Sequence, residues 1–143
     1  MTAKTLYRIA SVVFVLFAFG HTFGFLTFTP QTAEGQAVFD AMNRVGFQVH
    51  AATLTYGGFY KGFGLYITAY LLFSAMLAWQ LSNLTAIPQA ASLGWTFFVL
   101  QLASLVLSSM YFSIEPAIFS AVLAVCLAWA AWSATRTAKR QIV

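Results

Sequence analysis

The sequence predicts an all-α integral membrane protein, a bundle of four transmembrane helices with an amphipathic outer segment between the first and second. Three observations predict this fold class: 61% of the 143 residues are hydrophobic, only 7% are charged, and the mean hydropathy is +0.81. Typical globular chains carry about 25% charged residues. A bilayer, rather than water, is therefore the main solvent of this chain.

Four apolar stretches have the length of a membrane crossing, because a hydrocarbon core about 30 Å thick needs roughly 20 apolar residues in a helix. They cover residues 6–28, 57–81, 92–112 and 117–134. The longest remaining piece, residues 29–56, is too short to add a soluble domain. The sequence thus predicts one transmembrane domain over residues 1–143.

The first apolar stretch follows Lys4 and Arg8, which is also how a secretory signal peptide begins. It continues through Phe25 to Phe28 without a small-residue cleavage site. We therefore interpret it as a retained span.

Positive charges are unequal on the two sides of the predicted bundle, and this asymmetry predicts its orientation. One side carries Lys4, Arg8, Arg136, Lys139 and Arg140, and the other carries Arg44 and Lys61. Both termini are therefore predicted to be cytoplasmic. Contact with anionic lipid head groups accounts for the net charge of +4. Nucleic acid is excluded as a partner, since no basic stripe with interleaved aromatics lies outside the spans.

Two Gly-x-x-x-Gly pairs lie at the end of the first span and the start of the second. They are Gly20 with Gly24, and Gly58 with Gly62. This spacing puts both glycines of a pair on one helix face, where two backbones approach closely in lipid. The pairs are predicted to pack helices on each other, or on a partner in a homo-oligomer or a larger membrane complex.

Residues 33–52, after the break at Thr29-Pro30, are predicted to form an amphipathic helix at the outer interface. The apolar positions recur at spacings of one, three and four, which suits a helix with one buried face. They are Ala37, Val38, Ala41, Met42, Val45, Val49 and Ala52. Asp40 and Arg44 have the i,i+4 spacing of an ion pair. The segment is either a lid over a pocket or a static interfacial helix, and the sequence leaves both open.

The two remaining connections are short. Residues 82–91 carry no charge and contain Pro88, which is typical of a tight cytoplasmic loop. Glu115 and Pro116 form the outer turn before the fourth span, where Pro suits the first helical turn and an acidic residue complements the helix dipole.

Polar residues inside spans are costly, so they are the first candidates for a functional site. The third span carries a polar stripe at three- and four-residue spacing that leads toward Glu115. With the outer ends of the other segments, it predicts an outward-facing, aromatic-lined pocket for a lipophilic small molecule or a partner helix. The candidate residues are His21, His50, Tyr56, Tyr60, Lys61, Gln101, Ser108, Tyr111 and Glu115.

Several of these residues also have a purely structural explanation. His21 can hydrogen-bond a neighbouring carbonyl, and Lys61 can extend its amine to the interface. Glu115 suits a helix start, and Gln101 and the serines of the stripe suit interhelical hydrogen bonds.

Two further functions remain open. The first is an enzyme that performs acid–base chemistry on a lipophilic substrate in a low-dielectric pocket. It would use the imidazole of His21, with either the ammonium of Lys61 or the carboxylate of Glu115 as its partner. The chain is alternatively a structural accessory subunit, held in a membrane complex by its glycine faces. No linear catalytic motif is present.

The sequence names no cofactor. Two histidines, His21 and His50, allow bis-histidine haem ligation in a four-helix bundle. A zinc site is not expected, because ligand spacing is absent. The single cysteine, Cys126, excludes dithiol exchange by this chain alone.

Over its whole length the chain resembles a family of small bacterial four-helix membrane proteins to which no activity is assigned. The matching features are His21-Thr22-Phe23-Gly24 at the end of the first span, Tyr56-Gly57-Gly58-Phe59-Tyr60 at the start of the second, and the Glu115-Pro116 turn. The resemblance implies the fold and the membrane location, a bacterial inner membrane. It implies no catalytic residues.

Overall fold

The computed structural model describes residues 1–85 and 88–140, and within them the chain forms five helices and two strands. The elements are α1 (Ala3–Leu26), α2 (Ala33–Arg44), β1 (Gly46–Val49), β2 (Ala52–Thr55), α3 (Tyr56–Asn83), α4 (Pro88–Tyr111) and α5 (Ile114–Arg140). The helical class predicted from composition is confirmed. Residues 86 and 87 of the predicted connector lie outside the described residues.

The four predicted spans are confirmed, since four helices are long and apolar enough to cross a membrane. They are Ala3–Leu26, Tyr56–Asn83, Gln89–Tyr111 and Ile114–Ala138. The chain is therefore a multi-pass membrane protein by the length and composition of its helices.

The chain divides into two compact units, each of which we describe separately. The core unit comprises Met1–Phe17 and Leu71–Val143, and the hairpin unit comprises Ala18–Tyr70. The prediction of one domain stays a prediction.

Large side chains are fully buried in the core unit. Tyr7, Phe14, Leu81, Leu123 and Leu127 are all exposed by less than 2%. Phe14 stacks on Phe97 with ring centroids 5.4 Å apart, and their planes are nearly parallel. Since lipid is as apolar as these side chains, close packing rather than escape from water stabilises such contacts.

Small residues let the helices of the core unit approach closely. A Cβ on Gly94 would overlap the Tyr7 hydroxyl and lie 3.2 Å from the Cβ of Ala131. Ser11 donates a hydrogen bond to the carbonyl oxygen of Ala75 at 2.8 Å, joining α1 to α3. Close backbones and hydroxyl-to-carbonyl bonds are the usual means of helix association in membranes.

In the hairpin unit, α2 is short because both of its ends are fixed locally. Thr32 caps its start by accepting a hydrogen bond from Gly35 N at 3.0 Å. Its last turn ends at Val45, whose backbone is extended (φ −76°, ψ 121°). Asp40 accepts a hydrogen bond from Gln36 Nε2 at 2.9 Å, and the described chain has no Asp40–Arg44 ion pair.

The predicted amphipathic helix over residues 33–52 is wrong beyond Arg44. Residues 46–55 instead form an antiparallel β-hairpin with register Gly46↔Thr55, Phe47↔Leu54, Gln48↔Thr53 and Val49↔Ala52. The segment contains Gly46 and several β-branched residues, which disfavour a helix and suit strands. The helical spacing of Val45, Val49 and Ala52 was therefore coincidental.

The hairpin runs directly into α3, and three contacts fix the junction. Thr55 caps α3 by accepting a hydrogen bond from Gly58 N at 3.0 Å. Phe47 packs on Tyr56 at 4.7 Å and on Phe59 at 5.8 Å between ring centroids. A two-stranded hairpin is marginally stable alone, so these aromatic contacts hold it on the helix.

Candidate ligand site in the hairpin unit

A cavity of about 180 Å³ lies within the hairpin unit, at the ends of the first two spans. Its walls come from the end of α1, the chain that follows it, α2 and the first turns of α3. The lining residues are Phe25, Leu26, Phe28, Phe39, Met42, Asn43, Gly57, Tyr60 and Lys61. The cavity therefore lies where one candidate span, α1, ends and the next, α3, begins.

Aromatic contacts hold the walls in place. Phe25 of α1 packs on Tyr60 of α3 with ring centroids 5.3 Å apart. Phe28 meets Phe39 of α2 edge to face at 6.4 Å. Aromatic pairs of this geometry contribute about 0.5–1.5 kcal/mol beyond the area they bury, so α2 is held against the spans by its apolar face.

Gly57 allows α2 and α3 to meet at the floor of the cavity. A Cβ on Gly57 would overlap the side-chain amide of Asn43 and lie 3.2 Å from its Cα. The Asn43 amide donates a hydrogen bond to the Phe39 carbonyl oxygen at 2.9 Å. Any larger residue at position 57 must therefore displace the end of α2.

Lys61 contributes the cation of this cavity. Its side chain is exposed, and it makes neither an ion pair nor a hydrogen bond with any described residue. No acidic side chain is among the lining residues. The ammonium is therefore available to a ligand.

His21 forms a structural contact close to the cavity rather than lining it. Its Nε2 lies 3.0 Å from the Gly64 carbonyl oxygen. Because a carbonyl only accepts, Nε2 carries the proton and donates. The His21 ring also stacks on Phe25 at 5.8 Å, so it joins α1 to α3 and supports one cavity wall.

Two threonines extend this polar contact between α1 and α3. Thr22 donates to the carbonyl oxygen of Ala18 at 2.7 Å and lies 2.8 Å from the Thr68 hydroxyl. Thr68 is also 3.3 Å from the Gly64 carbonyl oxygen. A Cβ on Gly64 would overlap the Phe25 ring, so Gly64 provides both the acceptor and the space.

His50 and Tyr56 do not line the cavity. His50 is exposed in the hairpin turn, where its φ of 55° is the only positive value of a described non-glycine residue. Tyr56 is half exposed and packs on Phe47. Haem ligation through the Nε2 atom of His21 would require this histidine to give up its hydrogen bond to Gly64, and His50 lies on a different element. Among the described residues, no three metal-ligating side chains form a group.

The remaining predicted site residues belong to the core unit. Gln101 and Ser108 meet at Ser120: Gln101 Nε2 donates to its carbonyl oxygen at 3.3 Å, and the two serine hydroxyls are 3.4 Å apart. Tyr111 is 71% exposed. Glu115 is exposed in the first turn of α5, where Ser113 donates a hydrogen bond to it. Interhelical bonding thus accounts for Gln101 and Ser108, and a helix start accounts for Glu115.

The predicted packing glycines are largely open. A Cβ on Gly20, Gly24 or Gly62 would meet no described atom within 4 Å, and one on Gly58 would lie 3.1 Å from the Thr55 hydroxyl. Close packing within the described chain is therefore absent at the first three positions. Contact of these faces with a partner helix stays a prediction.

Sequence reasoning identified Tyr60 and Lys61 but missed most of the apolar lining. Phe39 and Met42 are three residues apart on α2, and that spacing places them on one side of the helix. This was the available signal for α2, whereas Phe28 lies beyond the end of α1 at Leu26, where helical spacing does not apply. The signal was obscured because 15 phenylalanines are present and most suit any apolar surface.

The fold defines a class, a small membrane protein with four candidate spans. No family of known sequences, no curated protein and no solved structure matches the chain. The resemblance to a bacterial four-helix family stays a prediction.

Proposed function

We propose that this protein binds a small lipophilic molecule in the hairpin-unit cavity, at the membrane boundary. The observation that carries the proposal is the cavity itself, about 180 Å³ lined by aromatic side chains with one unpaired ammonium. Apolar pockets with a few polar groups at their margin are the usual form of small-molecule sites.

The cavity volume limits what the ligand inserts. An engineered cavity of about 150 Å³ accommodates benzene, whereas complete sites for drug-sized ligands measure about 300–1,000 Å³. The cavity of about 180 Å³ therefore holds one ring or the first few carbons of a chain. The rest of the ligand would lie along the lipid-facing surface, where Leu26 and Phe28 are more than half exposed.

The proposed orientation puts this site on the outer side of a bacterial inner membrane. Three basic side chains near the termini are exposed: Lys4, Arg8 and Arg136. The Arg8 guanidinium lies over the ring of Trp79, and that of Arg136 lies over the ring of Trp132. Basic residues favour the cytoplasmic side, and Trp favours the interface. Reporter fusions at the C-terminus and in the hairpin turn test this orientation: only the hairpin fusion should be active outside the cytoplasm.

Native mass spectrometry of the protein released from mild detergent tests the binding function, with an optical spectrum of the same preparation. We expect a reproducible bound mass that Met42→Trp, which fills the cavity, removes. Met110→Trp is the matched control, because Met110 is 66% exposed in the core unit. Bare protein, or the same bound mass in both variants, would contradict the proposal. A Soret band would instead assign the bound mass to haem.

A second candidate is an accessory subunit that binds a partner helix, and the open faces of Gly20, Gly24 and Gly62 favour it. Gly24→Leu would then release the partner without unfolding the chain, because a Cβ at this position meets no described atom within 4 Å beyond its own helix turn. Co-purification from the native membrane, with and without the substitution, tests this candidate. The acid–base enzyme is less favoured, since no acidic or imidazole side chain lines the cavity.

A further inference from the structure

We propose that the ligand of this cavity is a single-chain amphiphile with an anionic head, a carboxylate or a phosphate, that pairs with Lys61. The inference rests on the binding function proposed above and adds the chemical class of the ligand. Three properties of the lining carry it: the balance of donors and acceptors, the unpaired charge and the size.

The polar lining is rich in donors and lacks acids. Lys61 offers three N–H donors, Asn43 has one amide hydrogen left after its bond to Phe39, and Tyr60 adds a hydroxyl. The acceptors are the Asn43 amide oxygen and the Tyr60 oxygen. A head group that only accepts hydrogen bonds, as carboxylate and phosphate oxygens do, suits this set better than an alcohol or an amine.

The charge of Lys61 has no partner within the described chain. The nearest acidic residue in sequence, Asp40 on α2, accepts from Gln36 and does not line the cavity. An anion beside Lys61 thus gains an ion pair, whereas a cation is repelled.

The size of the cavity favours one chain over two. A volume of about 180 Å³ holds the carbons next to the head of one chain, whereas the glycerol and the first carbons of both acyl chains of a phospholipid exceed it. The aromatic walls of Phe25 and Phe39 contact those first carbons. The tail then continues past Leu26 into the bilayer, so neither its length nor its end is recognised.

Competition binding on the full chain in phosphatidylcholine nanodiscs tests this class. The probe is radiolabelled dodecanoate, displaced by unlabelled dodecanoate, dodecyl phosphate or dodecanol, which share a chain and differ in charge. We expect the two anions to displace the probe at concentrations about fivefold below dodecanol, the ratio expected for one exposed ion pair. Lys61→Met should abolish that ratio, Lys61→Arg should keep it, and Lys4→Met is the matched control.

The outcomes separate this inference from the binding function. Equal displacement by dodecanol would leave a lipophilic site in place and overturn the anionic class. Absence of saturable probe binding, together with bare protein in native mass spectra, would overturn both proposals. Retention of diacyl phospholipid alone would overturn the single-chain assignment.

Preference for one anion over the other distinguishes a carboxylate ligand from a phosphate ligand. Unchanged circular dichroism of the Lys61 variants excludes misfolding as the cause.

Discussion

The core unit and the hairpin unit differ in how their chain is held. In the core unit, complete side chains such as Phe14, Leu123 and Leu127 are buried. In the hairpin unit only Ala18, Gly57 and Gly64 are buried, and none is larger than alanine. Steric fit specifies the first unit, whereas caps, hydrogen bonds and aromatic contacts at half-exposed positions specify the second. Binding surfaces are drawn from such less densely packed regions, since they must admit a ligand.

The two units also treat polar groups differently. Three buried side-chain atoms of the core unit have no hydrogen-bond partner in the described chain: Tyr7 OH, Ser74 Oγ and Gln101 Oε1. In the hairpin unit His21 and Thr22 both donate to backbone carbonyls. The buried polar atoms without a partner in the described chain thus all lie in the core unit, beside bonded ones such as the Ser11 hydroxyl.

The largest expected effect is truncation in the core unit. Phe14→Ala removes a fully buried ring that stacks on Phe97, and should lower the free energy of unfolding by about 3 kcal/mol. Phe19→Ala, on the same helix at 73% exposure, should change it by less than about 0.5 kcal/mol. Thermal unfolding in one detergent, followed by circular dichroism, measures both, because both units contain helix. Equal losses would remove the contrast between the units.

The next effect concerns the close contact of α1 and α3 in the hairpin unit. Gly64→Leu places a side chain where the Phe25 ring lies and should destabilise by about 1–3 kcal/mol. Gly62→Leu, two residues earlier and open, should be neutral or slightly stabilising, because leucine is the better helix former. Circular dichroism melts of the two variants give the comparison, and a larger loss for Gly62→Leu would contradict the packing described here.

A smaller effect is expected from the hydrogen bond of His21. His21→Phe keeps the stacking on Phe25 but removes the donor to Gly64, and should cost about 1 kcal/mol. Nitrogen-15 spectra of His21 in the intact protein should show the proton on Nε2. A catalytic or haem-ligating role would instead change turnover or the optical spectrum while leaving the melting temperature unchanged.

The smallest effect lies in the hairpin turn. His50→Gly relieves a positive φ and should stabilise the hairpin by up to about 1 kcal/mol. Hydrogen exchange of residues 46–55 should slow in this variant and stay constant in the core unit. Faster exchange would mean that the His50 side chain makes a stabilising contact.

The elements that the sequence could predict are those for which composition is sufficient. A stretch of about 20 apolar residues has few alternatives to a membrane helix, since unpaired backbone groups are costly in lipid. The four spans were therefore predictable to within a few residues at most ends. The hairpin was missed because Val45, Val49 and Ala52 fit a helical period as well as they fit strands, and short apolar segments do not distinguish the two.

The candidate site was predictable in part for a similar reason. Lys61 could be identified because a charge within a span is rare, and Tyr60 because it lies beside Lys61 at the start of the second span. The sequence could not separate His21, which bonds to Gly64, from a cavity-lining residue, since both roles suit a histidine near a span end. Nor could it tell that Gly57 and Gly64 contact Asn43 and Phe25 while Gly20 and Gly24 stay open.

The sequence by itself determined that this protein is built from four membrane helices, because transfer of apolar side chains to lipid depends on composition and length alone. Only the tertiary structure decided where α2 ends, which glycines are in contact, and that Phe25, Phe39 and Lys61 share one cavity. Those features depend on which faces of neighbouring elements meet. In lipid that choice depends on close packing and polar bonds rather than on hydrophobicity, so a hydropathy pattern does not contain it.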